Sequence, residues 1–231
     1  MFDISVIITA HREGVLAGAT IRSAEKAINY VTDSMNLKVE TIIVLDRSDA
    51  STKNMFQQNF GDKAIIITTD EGDPGQARNR GVEVSSGTFI SFLDGDDLWS
   101  TNWLFAAWQL AKIEPDTIFH SQFNLTFGAE HSIWWHIDSE GPFFDIKYLK
   151  WGNFWDAMSF GDRTIYERYP FKANNLQLGF GHEDWHWNGL TISEGVRHMP
   201  VERTIHFKRR RRGSQMEKVS KSDSVVWPLA P

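Results

Sequence analysis

The chain has 231 residues, enough for one generous domain with a substantial buried interior. Its 24 Lys and Arg against 30 Asp and Glu give a formal charge of -6, which argues against polyanion binding by the chain as a whole and leaves any basic function to be local. Cysteine is absent, so disulfides, thiolate zinc sites and cysteine nucleophiles are excluded as well.

Met1-Phe2-Asp3 carries no positive leader, and the apolar run behind it reaches His11-Arg12-Glu13 too early for a secretory signal, so a cytoplasmic location is expected. The first hundred residues alternate β-prone apolar runs (4–9, 39–45, 64–68 and 88–93) with segments of helical period (15–30, 51–59 and 76–84). Such alternation predicts a Rossmann-like α/β fold, a doubly wound and mostly parallel sheet. Residues 41–45 and 64–67 are apolar without alternation, as expected for strands covered on both faces. Further on, 103–113 predicts a helix, 117–123 a strand, 183–192 a helix and 197–207 terminal strands. Most of the ten tryptophans lie after Trp99, and residues 128–160 read as an irregular aromatic extension of the sheet with a short helix near 146–154. Residues 220–231 carry no readable pattern. No stretch approaches the roughly 18–20 consecutive apolar residues of a membrane helix.

Open α/β sheets bind ligands beyond the carboxyl ends of their strands. Polar residues follow each of the four early apolar runs: His11-Arg12-Glu13, Asp46-Arg47-Ser48, Asp70-Glu71 and Asp94-Gly95-Asp96-Asp97. The last group is the most informative. Three carboxylates in four residues repel one another, and a hard divalent cation relieves that repulsion while preferring oxygen ligands. A cation held by one or two carboxylates plus phosphates is the usual arrangement for Mg2+, and Mn2+ suits the same ligands, so the cluster implies a diphosphate ligand. Gly95 is expected to keep the turn narrow enough for the phosphates. The plain alternative is a solvated Asx-turn at a strand end.

Gly75-Gln76-Ala77-Arg78-Asn79-Arg80-Gly81 followed by Ser86 to Asp97 resembles the Ala-Arg-Asn-x-Gly and Leu-Asp-x-Asp-Asp signatures of family-2 glycosyltransferases, inverting enzymes of GT-A fold. The opening strand with Thr9, Ala10, His11 and Glu13 looks like that family's nucleotide-contact loop, and Val44 to Ser48 looks like its second. The resemblance covers about the first hundred residues well and the remainder weakly. It departs from the family at Thr9-Ala10-His11-Arg12, where Pro-x-Tyr-Asn is usual, and at Leu45-Asp46, where paired Asp is usual. The resemblance implies that Asp46 meets the base, Arg78 the diphosphate, Asp94 the ribose or sugar and Asp96 the metal. An ion pair on a helix surface is the ordinary alternative for Arg78.

Gly179-Phe180-Gly181-His182-Glu183-Asp184-Trp185 resembles the family's Glu-Asp motif beneath the acceptor site. An inverting transfer needs a general base for the acceptor hydroxyl, and Asp184 is the candidate. A helix N-terminus is expected to favour its anion, although such a residue also serves as a plain helix cap. The resemblance further implies that His206 completes the metal shell. The basic run that follows, Lys208 to Arg212, contains arginines suited to gripping a diphosphate, and is also of a kind that adheres to anionic lipid.

The resulting expectation is a single GT-A domain. Residues 1–100 hold the nucleotide-sugar, 101–215 form an irregular, aromatic-rich acceptor half with the base, and 216–231 are a tail. The chemistry expected is inverting, metal-dependent transfer from a nucleoside diphosphate sugar to a glycan or lipid-linked acceptor. A UDP-linked donor, Mn2+ or Mg2+ as cofactor and no nucleic-acid partner complete that expectation. A sugar nucleotidyltransferase is disfavoured because residues 9–14 lack the Gly-rich basic loop it would need. A non-catalytic nucleotide-sugar or glycan-binding module is disfavoured by the presence of Asp94, Asp96 and Asp184 together.

Overall fold

The computed structural model describes residues 1–211 and 222–229. Apolar runs form β1 (Ile4–Ala10), β2 (Val39–Asp46), β3 (Ile65–Thr69) and β4 (Phe89–Asp94), connected by α1 (Ala17–Met35), α2 (Ala50–Phe60) and α3 (Pro74–Val84). Asp49 and Asp73 start α2 and α3 by accepting the backbone N–H of Thr52 and Gln76 on their side chains. Then come β5 (Leu98–Trp99), α4 (Trp103–Ala111), β6 (Thr117–Gly128), β7 (Ser132–Trp135), β8 (Ser159–Asp162) and α5 (Arg163–Arg168). The order ends with β9 (Phe180–Gly181), α6 (Glu183–Ser193), β10 (Arg197–Arg210) and β11 (Val225–Val226).

A nine-stranded sheet runs β3-β2-β1-β4-β8-β6-β10-β5, with β7 paired to β6. The first four strands in that order are mutually parallel. The antiparallel β8 joins β4 to β6, and β10 runs parallel to β6. One continuous sheet therefore spans both halves of the chain. Residues of β1 alternate between two buried layers: Ile4, Val6 and Ile8 pack with Ile21 and Trp103, while Ile7 packs with Ile42, Val44 and Trp187. The strand order reverses at β1 and β4, whose carboxyl ends bring Thr9 into register with Asp94. That crossing is where such sheets open a crevice for a ligand.

Several elements differ from their sequence expectation. The first helix begins later, after a 3-10 turn at Gly14–Leu16, and runs on to Met35, where Asn36 turns left-handed at φ 54° and closes on the Thr32 carbonyl. The short helix expected near 146–154 is a 3-10 turn at Ile146–Lys150. The terminal strands are one long strand, β10, whose register shifts between Val201 and Ile205 around Arg203 at φ 60°. The tail contributes β11, which pairs with β9, and Trp227, whose ring lies 3.9 Å from that of Phe180 and whose indole N–H donates to the Ala173 carbonyl.

Candidate active site

A cleft of about 580 Å3 opens at the β1/β4 crossing, a volume typical of small-molecule sites. Thr9, Ala10, His11, Glu13, Asp46, Arg78, Asp94 and Asp96 all line it, and so does Asp184 from the second half of the chain. Nine of the ten residues expected at the site from sequence thus share one wall system; His206 does not.

The acidic turn is built by its contact with β1. The Gly95 N–H donates to the Thr9 carbonyl at 2.8 Å, and the Gly95 carbonyl accepts from the Thr20 hydroxyl at 3.0 Å. A Cβ at Gly95 would stand 3.0 Å from the Thr9 oxygen and 3.1 Å from the Ala10 Cβ. Glycine here lets the turn seat closely on β1, in addition to its expected clearance for phosphate at the cleft. Asp97 is buried and its Oδ1 accepts the Arg209 backbone N–H at 2.6 Å. Burial holds its carboxyl well above the usual range, with Lys208 opposing. Its work is to fasten β10 to the turn.

Arg78 is the electrostatic hub. Its guanidinium, 3% exposed, donates from Nη2 to Asp94 at 2.8 Å and from Nη1 to Glu183 at 3.1 Å. Burial alone would depress its pKa, but Asp94 and Glu183 more than reverse this. Asp94 shows the converse: burial opposes ionisation, yet Arg78 and Lys208 hold its pKa below the usual value. The ion pair weighed as the ordinary alternative is thus present, but as a buried bridge between α3, β4 and α6, and both terminal nitrogens of the arginine expected to approach the diphosphate are engaged by protein carboxylates.

Asp184 stands in the first turn of α6 behind His182, which is left-handed at φ 61°. Its Oδ1 accepts the Trp185 N–H at 2.8 Å. Burial and the charge of Glu183 push its pKa up to about 7, with Lys208 and Arg78 opposing. This corrects the expected anion stabilisation: desolvation and a like charge outweigh the helix terminus.

Glu13 folds back on its own loop, accepting the His11 N–H at 2.6 Å on Oε2, while Oε1 accepts from Arg211 at 2.9 Å. The same guanidinium donates from Nε to Asp96 Oδ2 at 2.6 Å. Burial raises the pKa of both Glu13 and Asp96, with Arg211 opposing. Asp46, at the cleft as expected, is also engaged by its own surroundings. Its Oδ1 accepts from the Thr69 hydroxyl and the Glu71 N–H, and its Oδ2 from the Gly72 N–H, at 2.7–2.9 Å. The carboxylate thereby shapes the loop that forms one edge of the cleft instead of being turned freely toward a base. Replacing Asp46 by Ala should cost roughly 1–3 kcal/mol in a urea unfolding titration, because its amide partners lose their acceptor. Unchanged stability would show that water replaces the carboxylate.

Two features of the site escaped sequence reasoning. Lys208 reaches into the cleft wall, where its Nζ lies 3.0 Å from Asp156 Oδ2 and 4.0 Å from Asp97 Oδ2. Burial would lower its pKa, but Asp156, Asp97 and Asp94 raise it overall, so it is a fixed cation. Asp156 also accepts from Asn124 at 2.7 Å, and Lys208 with other neighbours holds its pKa low against burial. The other feature is His182, whose position at the cleft is set by the left-handed turn before α6.

The assignment of His206 to a metal shell is corrected. Its strand position pairs it with Trp99, and its ring is fully buried, edge-on to Trp103 at 4.5 Å. Burial lowers its pKa to about 3, so it is neutral. Among the described residues no group of three or more His, Asp or Glu is placed to hold a metal ion unaided. Asp96 with Glu13 fits the other arrangement, one or two carboxylates acting with substrate phosphates, and the bridging Arg211 guanidinium is a cation already accepted by that pair. Of the arginines expected to face phosphate, Arg209, Arg210 and Arg211 line the cleft, while Arg212 lies outside the described residues.

Solved structures resemble this architecture across nearly the whole chain. The mannosyltransferase PcManGT of Pyrobaculum calidifontis, in complex with GDP-Man and Mn2+, superposes with a TM-score of 0.64 over 96% of this chain and 63% of its own, at 17% identity. TarS 1-349 of S. aureus, in complex with UDP-GlcNAc, does so with a TM-score of 0.62 over 93% of this chain and 60% of its own, at 16% identity. Among curated proteins, an uncharacterized glycosyltransferase of Rickettsia bellii is 32% identical over 149 residues, 64% of this chain and 18% of that protein. The glycosyltransferase AglE of Haloferax volcanii is 31% identical over 106 residues, 44% of this chain and 33% of that protein. The matches thus span a third or less of the length of these curated relatives. Residues 5–174 match the model described as glycosyl transferase family 2, and the chain belongs to that family.

Proposed function

We propose that the chain transfers a sugar, with inversion, from a nucleoside diphosphate sugar, in the first instance UDP-linked, to a hydroxyl of a glycan or lipid-linked acceptor. The observation that carries this reading is the single cleft joining Asp94 and Asp96, at the β1/β4 crossing, to Asp184 at the start of α6. UDP-GlcNAc bound by TarS, and GDP-Man with Mn2+ bound by PcManGT, support a nucleotide-sugar in the corresponding fold. Residues 1–100 would hold the donor and residues 101–215 the acceptor and the base.

In this mechanism Thr9, Ala10, His11 and Glu13 form the donor loop, while Asp94, held by Arg78, faces the sugar. Asp184 takes the proton of the acceptor hydroxyl as its oxygen bonds to the anomeric carbon. The bond from that carbon to the diphosphate breaks on the opposite side, and its electron pair leaves with the diphosphate. Lys208, Arg209 and Arg211 supply positive charge along that wall of the cleft. A bound Mn2+ or Mg2+, held by Asp96 and the phosphates, would add Lewis acidity toward the leaving group. Among the described residues no helix is long and apolar enough to cross a membrane. A lipid-linked acceptor would therefore be met at a membrane surface, and contact with that surface belongs to the same proposal.

Calorimetry with UDP and Mn2+ tests the donor site. The intact chain should bind UDP more tightly with Mn2+ than without. Asp96→Ala should erase that difference, a loss at least as large as the roughly 10–100-fold seen when outer-shell partners of a metal are removed. UDP affinity indifferent to Mn2+ in the intact chain would sink the metal assignment.

A further inference from the structure

In the second half of the chain lies a shallow groove of about 330 Å3 lined by Trp134, Trp135, Tyr148, Asn153 and Phe154. Large aromatic side chains at a surface are unusual enough to require a reason. Trp135 is 61% exposed and Tyr148 49%, and the nearby Trp151, 83% exposed, donates its backbone N–H to the Tyr148 carbonyl. The rings are held in place. The Trp134 indole N–H donates to the Phe154 carbonyl, Trp135 stands edge-on to Phe123 at 5.6 Å, and Tyr148 lies 4.7 Å from Phe154.

The groove is tied to the helix that carries Asp184. The Trp185 indole N–H donates to the Leu149 carbonyl at 2.8 Å, one residue from Tyr148. The Asn188 amide, one turn beyond Asp184, donates to Asn153 Oδ1 at 3.0 Å. From Phe154 the chain needs only three residues to reach Ala157 in the cleft wall, at most about 11 Å even if fully extended. Groove and cleft thus share α6 as a support.

We propose that this groove is a binding subsite for a saccharide unit of the acceptor, one or more sugars removed from the hydroxyl that reacts. The inference rests on the glycosyl-transfer reading. A pyranose presents an apolar C–H face and a rim of hydroxyls. Aromatic faces remove the former from water, and the Asn153 amide at the groove offers a hydrogen-bonding partner to the latter. The concavity of the site, the polar Asn153 in its lining and the hydrogen bond that Asn153 accepts from the helix of Asp184 distinguish it from a flat lipid-facing patch. Holding a remote sugar here orients the reacting hydroxyl toward Asp184.

The test uses the full chain on an array of glucose-, N-acetylglucosamine-, mannose-, galactose- and rhamnose-based oligosaccharides, with the best-retained oligosaccharide then titrated in solution. At least one should be retained. Trp135→Ala and Tyr148→Ala should each weaken the solution affinity by roughly tenfold, the factor that about 1.4 kcal/mol represents. Tyr148→Phe, which keeps the ring face, should hold the affinity near that of the intact chain, and melting curves confirm that each variant is folded. Ile113→Ala, at an exposed apolar position on another face, should have no effect. Retention of no oligosaccharide by the intact chain overturns the inference. So does an affinity unchanged in both alanine variants, or binding of the groove residues to phosphatidylglycerol vesicles in place of glycans. UDP titration of the same preparation separates the two readings: UDP binding without glycan binding defeats only the subsite, and glycan binding without nucleotide binding defeats the transferase reading and with it the groove's role toward an acceptor, leaving a saccharide-binding site.

Discussion

Asp184→Asn should lower the transfer rate by roughly 100- to 10,000-fold, the range a positioned general base contributes, while UDP affinity in the presence of Mn2+ stays unchanged. The intact chain should itself show the ionisation of this group. Its pKa, pushed up to about 7 by burial and by Glu183 against the pull of Lys208 and Arg78, lies where a base is both ionised and effective near neutral pH. Below that value the rate should fall by about tenfold per pH unit, and above it the rate should level off. The same ionisation has a signature in stability. Between the ordinary value of 3.8 and about 7, the folded chain retains a proton that the unfolded chain has released. This contribution is therefore greatest in acid and declines as pH rises toward 7. Asn carries no charge to desolvate, so Asp184→Asn should melt above the intact chain at pH 8, with the gap closing toward pH 4. A variant that retained full transfer would remove Asp184 from the reaction. One that melted lower at pH 8 would identify the carboxylate as an anchor for α6.

The first hundred residues were legible because their physics is local. The apolar run through Leu45 forms a strand covered on both faces, whereas the equally apolar residues 65–67, expected to be covered likewise, form the edge strand with Ile65 exposed. Polar residues at the ends of β1 and β4 fall at the mouth of the sheet. The cleft therefore collects Thr9, His11, Asp94 and Asp96 as expected. The second half depends on pairings that no short window contains. β8 is four residues long and pairs with β4 and β6 across wide gaps in the chain, so Ser159 to Asp162 carry no period to read. Lys208 was hidden for a different reason. In a basic run every member looks alike, and only placement on β10 beside Asp97 and Asp156 singles it out. Asp46 and His206 show what motif reasoning leaves open. Residue type and order put each near the right place, but neighbours distant in sequence decide that one carboxylate clasps the 69–72 loop and that one imidazole packs against Trp103.

Arg78→Met should destabilise the fold by about 3–5 kcal/mol, the cost of removing one partner from a buried charge cluster. The guanidinium bridges Asp94 and Glu183 with its two terminal nitrogens, and its side chain is 3% exposed. Methionine approximates the stem but leaves both carboxylates with nothing to balance them on that side. Lys208 interacts with Asp94 and pulls its pKa down, yet it is already bound to Asp156 at 3.0 Å. One remedy open to the protein is protonation, so the deficit in a urea titration should shrink as pH is lowered toward 4 and widen toward 8. The comparison that separates charge from shape is Arg78→Lys. A single ammonium keeps the charge but lacks the planar fork that meets two carboxylates at once, so the variant should recover part of the stability and lose the alignment of Asp94 with Glu183. Because Glu183 adjoins Asp184, the same substitution should move the pH dependence of transfer, whereas a residue with a purely packing role would leave that profile in place. A methionine variant as stable as the intact chain at pH 8 would mean that the cluster is solvated enough to dispense with its arginine, and the ordering of the site would have to come from the backbone alone.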